Sequence, residues 1–189
     1  MAEASSYRIL VVDDHLSDAM VTAAPLQQRG HHVEFACDLG DAARKLAGGE
    51  RWDLLISDIM MPFGGNARAY VSDIARSCPE PGGEHAGLGL LKWLRNTQGR
   101  NRNIPVILLS VRSDDQATSF ACEHKAVLLS KFPDDDELLR HVRGCIAPER
   151  DPDEPPVYDV TSRSSLPPGG IEAGRVSRGG AAKPRHKRR

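Results

Sequence analysis

The sequence predicts an α/β fold: a doubly wound, parallel sheet of five strands with helices on both faces. Two observations predict it. Five apolar stretches of strand length alternate with helix-like stretches between residues 7 and 147, and strict alternation is typical of parallel sheets. Three of the apolar stretches are nearly continuous in isoleucine, valine and leucine, as expected of strands that are covered on both faces.

The predicted elements follow one another in a regular order. The strands are expected at Arg8–Val12, Val33–Cys37, Leu54–Ser57, Val106–Ser110 and Ala126–Leu129. The helices are expected at Asp18–Arg29, Leu39–Ala47, Leu88–Asn96, Asp114–His124 and Asp134–Ile146. Each strand is therefore followed by one helix.

Local signals mark the limits of the first two helices. Gly30 is a typical stop for the first helix, whereas Pro25 inside that helix should kink or shorten it. Asp38 provides an N-cap for the second helix, and Asp41 places an acid in its first turn.

One connection is much longer than the others. Residues 63–86, which follow the third strand, are rich in glycine and proline and form an insertion with a short helical candidate at Arg68–Arg76. Long connections in compact domains are uncommon and are often functional. We therefore consider two roles for this insertion: a lid or docking element, and a neutral excursion.

The chain of 189 residues has room for one domain with appendages. We expect a flexible N-terminus at residues 1–6, the folded domain at 7–147 and a disordered tail at 148–189. The tail contains seven prolines and five glycines, and it has too few large apolar side chains to offset its ordering entropy.

Charge is distributed unevenly along the chain. The net charge is −1, but residues 171–189 contain seven basic residues and one acid, which leaves an acidic remainder. The basic end can add affinity for nucleic acid or for an anionic membrane, without sequence specificity. It lacks interleaved aromatic residues for base stacking, so we do not favour nucleic acid as a partner.

Several classes of protein are excluded by composition. No apolar run approaches the roughly 20 residues of a membrane-spanning helix, and the N-terminus lacks the apolar stretch of a secretory signal. The four cysteines are far apart, without a CxxC pair, so free thiols are expected rather than a zinc site or disulfides. These features predict a cytoplasmic protein.

Polar side chains follow the apolar stretches at their carboxyl ends. Asp13 and Asp14 follow the first strand, Asp58 the third, Ser110 ends the fourth, and Lys131 comes after the fifth. The carboxyl ends of parallel strands meet at one edge of a sheet, where ligands bind. The sequence therefore predicts that these five side chains converge.

This combination of side chains suits phosphoryl transfer. Clustered carboxylates require a cation, and Mg²⁺ prefers oxygen ligands. Asp58 can act both as nucleophile and as metal ligand. Ser110 and Lys131 can bind the oxygens of the transferring group, because this catalysis consists mainly of positioning and charge stabilisation.

The motifs ILVVDDH, LLISDIMMP, IPVILLS and LLSKFP resemble the signature blocks of the receiver domain of response regulators in two-component signalling. The resemblance covers about residues 7–147 and implies a flavodoxin-like (βα)5 fold. It implies that Asp58 accepts the phosphoryl group and that Asp13 and Asp14 bind Mg²⁺ together with Asp58.

The resemblance also assigns supporting roles. The backbone carbonyl of Met60 is implied as a further Mg²⁺ ligand, and Ser110 and Lys131 as the residues that contact the phosphoryl group. The implied donor is a histidine kinase or a phosphotransfer protein. The receiver would catalyse its own phosphorylation and dephosphorylation, so we do not expect an enzyme that acts on other substrates.

Three positions depart from the family pattern. Phe132 separates Lys131 from Pro133, so the local turn should differ and a cis proline is in doubt. Leu128 occupies the position of the switch tyrosine or phenylalanine. Val111 occupies a position that usually has a small residue, which should narrow access to the phosphate.

The function predicted from the sequence is that of a single-domain response regulator that signals through a downstream protein. One alternative is a degenerate receiver that acts as a binding scaffold independently of phosphorylation. Another is a Mg²⁺-dependent phosphohydrolase, although Met60 stands where such enzymes carry an acid. The oligomeric state is left open.

Overall fold

The computed structural model describes residues 6–63, 68–79, 85–111 and 115–146. Its five strands are β1 (Arg8–Val12), β2 (His32–Ala36), β3 (Leu54–Asp58), β4 (Val106–Ser110) and β5 (Val127–Ser130). The helices of the described ranges are α1 (Leu16–Gln28), α2 (Leu39–Ala47), α3 (Arg68–Ser77), α4 (Ala86–Asn96), α5 (Asp115–Glu123) and α6 (Asp135–Ile146).

The strands form one parallel sheet in the order β2-β1-β3-β4-β5. The predicted α/β fold is therefore confirmed. The bounds of β1, α2 and β4 agree with the prediction, and the other elements shift by one or two residues. The apolar runs determine the strands, while the exact ends of helices depend on capping contacts that a pattern does not contain.

Alternate side chains of each strand enter two separate apolar layers. Leu10 and Val12 of β1 belong to the layer covered by α2, α3, α4 and α5. Ile9 and Val11 belong to the layer covered by α1 and α6. This alternation follows from the two-residue period of a strand, and it explains why the central strands are apolar on both faces.

Helix α1 continues past Pro25, so the expected shortening at this residue was wrong. The helix ends three residues later, at Gln28, and Pro25 is buried. A proline removes only one backbone hydrogen bond from the preceding turn, and here its ring packs into the interior. The predicted stop is confirmed, because Gly30 has a φ of +84° directly after the helix.

The insertion contributes a helix to the folded domain. Ile74 of α3 is fully buried, and Tyr70 packs edge-on against Trp93 of α4, with ring centroids 5.8 Å apart. A Cβ atom on Gly89 would lie 2.8 Å from the carbonyl oxygen of Ile74. The close contact of α3 with α4 therefore requires a glycine at this position.

Several predictions fall outside the described residues. These are the tail at 148–189, most of the flexible N-terminus at 1–6, parts of the insertion at 64–67 and 80–84, and the expected helix start at Asp114. The four cysteines all lie in described ranges, and no disulfide joins them. In those same ranges, no helix is both long and apolar enough to cross a membrane.

Candidate functional site

The polar residues that follow the strands meet at the carboxyl edge of the sheet. Asp58 is the last residue of β3 and pairs in register with Leu109, the neighbour of Ser110. The backbone N–H of Lys131, just beyond β5, donates to the carbonyl of Ser110 at 2.7 Å. The parallel register thus brings residues from three adjacent strands to one pocket.

The ammonium of Lys131 forms the centre of this pocket. Its Nζ lies 2.8 Å from Oδ2 of Asp58, 3.0 Å from Oδ2 of Asp13 and 3.1 Å from Oδ2 of Asp18. The lysine side chain is only 8% exposed. Burial lowers the pKa of Lys131, but hydrogen bonds to the three carboxylates outweigh burial and hold this pKa above its ordinary value.

Backbone N–H groups hold the second oxygens of the two buried carboxylates. The N–H of His15 donates to Oδ1 of Asp13 at 2.9 Å, and the N–H of Met60 donates to Oδ1 of Asp58 at 3.1 Å. Burial raises the pKa of Asp13, an effect that the hydrogen bonds from His15 and Lys131 only partly oppose. Both carboxylates are therefore fixed in orientation.

Three carboxylates are arranged so that they can hold a metal ion. Asp13, Asp14 and Asp58 offer oxygens that all lie within 4.8 Å of one another. Oδ1 of Asp14 is buried and accepts no hydrogen bond, although His15 Nδ1 lies 3.3 Å away. A buried carboxylate oxygen needs a partner, so this donor set fits a hard divalent cation.

Comparison with known proteins assigns the fold. No family model matches the chain. The structure is similar to a putative response regulator from Chloroflexus aurantiacus, with 22% identity, coverage of 76% of this chain and 99% of the other, and a TM-score of 0.58. It is also similar to the chemotaxis protein CheY4 of Vibrio cholerae, with 23% identity, coverage of 75% and 99%, and a TM-score of 0.57.

A third similar structure is the signal receiver domain of a histidine kinase from Syntrophus aciditrophicus. It is 26% identical, covers 77% of this chain and 96% of its own, and has a TM-score of 0.57. The chain has the fold of a response-regulator receiver domain. The predicted resemblance is thereby confirmed at the level of fold.

Within this receiver fold, the predicted site residues lie together at one edge. Asp13, Asp58 and Lys131 are in direct contact, and Asp14 adjoins them. Ser110 is 5% exposed at the end of β4, next to the strand that carries Asp58. Met60 contacts Asp58 through its N–H, whereas its carbonyl remains a predicted ligand.

The three departures from the receiver pattern have distinct surroundings. Leu128 packs partly buried against the core, while Val111 and Phe132 are 63% and 52% exposed. Phe132 has a φ of +62°, and the described residues contain no cis peptide bond. A left-handed φ is unusual for a phenylalanine, so the backbone makes an unusual turn at Phe132, directly after Lys131.

Two residues that matter for the receiver site were missed by sequence reasoning. Asp18 contacts Lys131, but a lone acid in the first turn of a helix usually has a simpler explanation in the helix dipole. Gly87 packs against the backbone after Asp58: a Cβ atom would overlap the carbonyl oxygen of Asp58 and lie 2.8 Å from Cα of Ile59. The sequence GLGL at α4 signals small residues, but it does not show what they approach.

Proposed function

We propose that this receiver domain is a response regulator in which Asp58 accepts a phosphoryl group from a histidine kinase or a phosphotransfer protein. The observation that carries the proposal is the position of the Lys131 ammonium, 2.8 Å from Oδ2 of Asp58. A buried cation beside a buried carboxylate is suited to the charge that accumulates when a phosphoryl group arrives.

The proposed step is a displacement at phosphorus. An oxygen of the ionised Asp58 carboxylate forms a bond to phosphorus while the bond from phosphorus to the donor's leaving group breaks. The leaving group departs with the electron pair of that bond, and Asp58 becomes an acyl phosphate. Lys131 and the hydroxyl of Ser110 would bind oxygens of the transferred group.

Mg²⁺ is the proposed cation of the pocket, held by Asp13, Asp14, Asp58 and the carbonyl of Met60. When bound, it would neutralise charge on the carboxylates and on the phosphoryl oxygens. The buried Oδ1 of Asp14, which accepts no hydrogen bond, supports this assignment. A cytoplasmic location is part of the same proposal.

A protein is the proposed downstream target. Exposed apolar side chains follow the site residues on three strands: Met60 after Asp58, Val111 after Ser110 and Phe132 after Lys131. Exposed apolar groups next to a polar pocket are typical of protein–protein contacts.

Labelling with a small phosphodonor tests the proposal. With Mg²⁺ and acetyl phosphate, intact mass should show one added phosphoryl group on the wild-type chain and none on Asp58→Asn. Asp53→Asn is the matched control, because Asp53 lies just before β3, at the opposite end of the same strand, where it accepts a hydrogen bond from the N–H of Arg8. Equal labelling of wild type and Asp58→Asn would reject the proposal.

The altered switch positions favour one second candidate, a scaffold that is independent of phosphorylation. Leu128 has no polar-tipped ring to move inward, and Val111 is bulkier than the usual residue. Amide NMR spectra separate the two candidates. A response regulator should shift resonances in α5, β5 and α6 after labelling, whereas a scaffold should leave them unchanged.

We do not propose turnover of external substrates. Met60 cannot act as general acid or base at the position where phosphohydrolases carry an acid. Phosphate release from p-nitrophenyl phosphate should therefore not exceed the stoichiometry of the protein, and sustained release would revive the phosphohydrolase hypothesis.

A further inference from the structure

Asp18 extends the pocket from the sheet edge to a helix. It lies in the first turn of α1, where its backbone N–H donates to the carbonyl of His15 at 3.0 Å. Its Oδ2 lies 3.1 Å from Nζ of Lys131. The carboxylates grouped with Asp58 as possible cation ligands are Asp13 and Asp14, whereas Asp18 belongs to a separate candidate group with Asp13 and His15.

The ammonium of a lysine has three N–H donors, and in this pocket three carboxylates surround it. Two of them, Asp58 and Asp13, have a second role in the proposed reaction as phosphoryl acceptor and metal ligand. The second oxygen of Asp18 lies 3.3 Å from the hydroxyl of the neighbouring Ser17. Asp18 is thus the one carboxylate of the three without a further role in the proposed transfer.

We propose that Asp18 is a positioning residue, which anchors the Lys131 ammonium at the pocket while Asp58 accepts the phosphoryl group. This inference rests on the proposed function. When Asp58 becomes an acyl phosphate it loses its carboxylate charge, and a cation shares the charge of Asp13. Neither the phosphorylation of Asp58 nor the binding of the cation changes the contact between Asp18 and Lys131.

An anchor matters because a lysine side chain is long and flexible. A charge that is already in position costs no reorganisation when the phosphoryl group arrives. Without Asp18, the ammonium would be held only by carboxylates whose charge is engaged during the reaction. We therefore expect slower transfer when the anchor is removed.

The test combines two measurements on the full chain. The first is the rate of labelling by acetyl phosphate with Mg²⁺, followed by intact mass. The second is the ¹⁵N NMR signal of the Lys131 ammonium, identified by its absence in Lys131→Arg. Such a signal is visible when hydrogen bonds slow proton exchange with water.

Asp18→Ala should slow labelling about tenfold, the effect expected from losing one charge-assisted hydrogen bond, and should abolish the ammonium signal. Asp18→Glu restores a carboxylate and should recover both. Asp115→Ala removes an acid from the first turn of α5 and should leave both unchanged. If Asp18→Ala does not fold, the isosteric Asp18→Asn replaces it.

Two results would overturn the anchor: a labelling rate of Asp18→Ala within about twofold of wild type, or slow labelling with an unchanged ammonium signal. The latter would mean that only the charge of Asp18 matters. If the wild type itself is not labelled, the proposed function fails, and the NMR signal alone decides the anchor. If the Lys131 ammonium signal then persists in Asp18→Ala, the anchor is rejected. If the signal is lost, the result supports the contact between Asp18 and Lys131.

Discussion

The ammonium of Lys131 lies 2.8 Å from the Asp58 carboxylate, although 73 residues separate the two along the chain. Both side chains are more than nine-tenths buried. The ion pair exists because β3, β4 and β5 are parallel neighbours whose carboxyl ends meet at one edge. Lys131 therefore supplies the positive charge that offsets the carboxylates around it in the pocket.

Replacing this lysine should expose the repulsion between the buried carboxylates. In Lys131→Met, Asp13 and Asp58 lose their shared cation, and we expect the free energy of unfolding to fall by about 3–5 kcal/mol. Mg²⁺ should restore part of this loss. Urea unfolding with and without Mg²⁺ measures both effects. The control is Lys92→Met, at a half-buried lysine of α4, and an equal loss there would contradict this explanation.

The contact between α4 and the site requires a glycine at position 87. Gly87→Ala places a Cβ atom against the backbone of Asp58 and Ile59, so we expect a loss of about 1–3 kcal/mol from overpacking. Labelling of Asp58 should also slow, because the clash displaces its backbone. Urea unfolding of the purified variant measures the loss of stability, and intact mass after incubation with acetyl phosphate measures the labelling.

Gly144 provides the matched control for this substitution. Apart from its chain neighbours and the backbone of its own helix, α6, a Cβ atom on Gly144 would meet no heavy atom within 4 Å. Gly144→Ala should therefore be neutral or stabilising by up to about 1 kcal/mol. Equal effects of the two substitutions would show that the close approach at Gly87 does not matter.

The inserted helix should behave as part of the core. Ile74→Ala removes a fully buried side chain of α3, and we expect it to cost about 2–4 kcal/mol. Hydrogen exchange in residues 68–77 should increase at the same time. Ser72→Ala, on the exposed side of α3, should have little effect on either measurement. If Ile74→Ala has as little effect on stability and hydrogen exchange as Ser72→Ala, the inserted helix is not part of the core and the insertion is neutral.

Glu34 should stabilise the fold in a pH-dependent manner. Hydrogen bonds from Lys45 and Arg8 hold the pKa of Glu34 below its ordinary value, with Nζ of Lys45 at 2.9 Å. A lowered carboxyl pKa gives stability that is present above the ordinary pKa of glutamate and is lost as the pH falls through the folded-state pKa.

Glu34→Gln tests this dependence. Between pH of about 6 and about 3, the wild type should lose more unfolding free energy than Glu34→Gln, because only the wild type protonates this side chain. Glu123→Gln, at an exposed glutamate at the end of α5, is the control. Parallel pH profiles of wild type and Glu34→Gln would contradict the role of the ion pairs.

The sequence was sufficient to predict the sheet and most of the pocket. Apolar runs with polar residues at their ends determine both the strands and the convergence of Asp13, Asp58 and Lys131, because parallel strands place their carboxyl ends together. Ser110 follows from the same rule. These predictions required no knowledge of side-chain packing.

The remaining features depend on contacts between elements that are distant in sequence. The contact of Asp18 with Lys131 exists only because the fold places α1 beside the end of β5. Gly87 and Gly89 are required only because other backbone segments approach them closely. The shortening predicted at Pro25 was wrong, and the burial of this proline is not visible in the sequence pattern. None of these contacts leaves a periodic signal in the sequence.

Mapping the phosphoryl group to a residue tests the central proposal most directly. After incubation with Mg²⁺ and acetyl phosphate, borohydride reduces an aspartyl phosphate to homoserine, which peptide mass spectrometry locates in the sequence. We expect homoserine at position 58 alone, and none when Mg²⁺ is removed by a chelator. Modification at another residue, or an unmodified Asp58 after full exposure to the donor, would contradict the account.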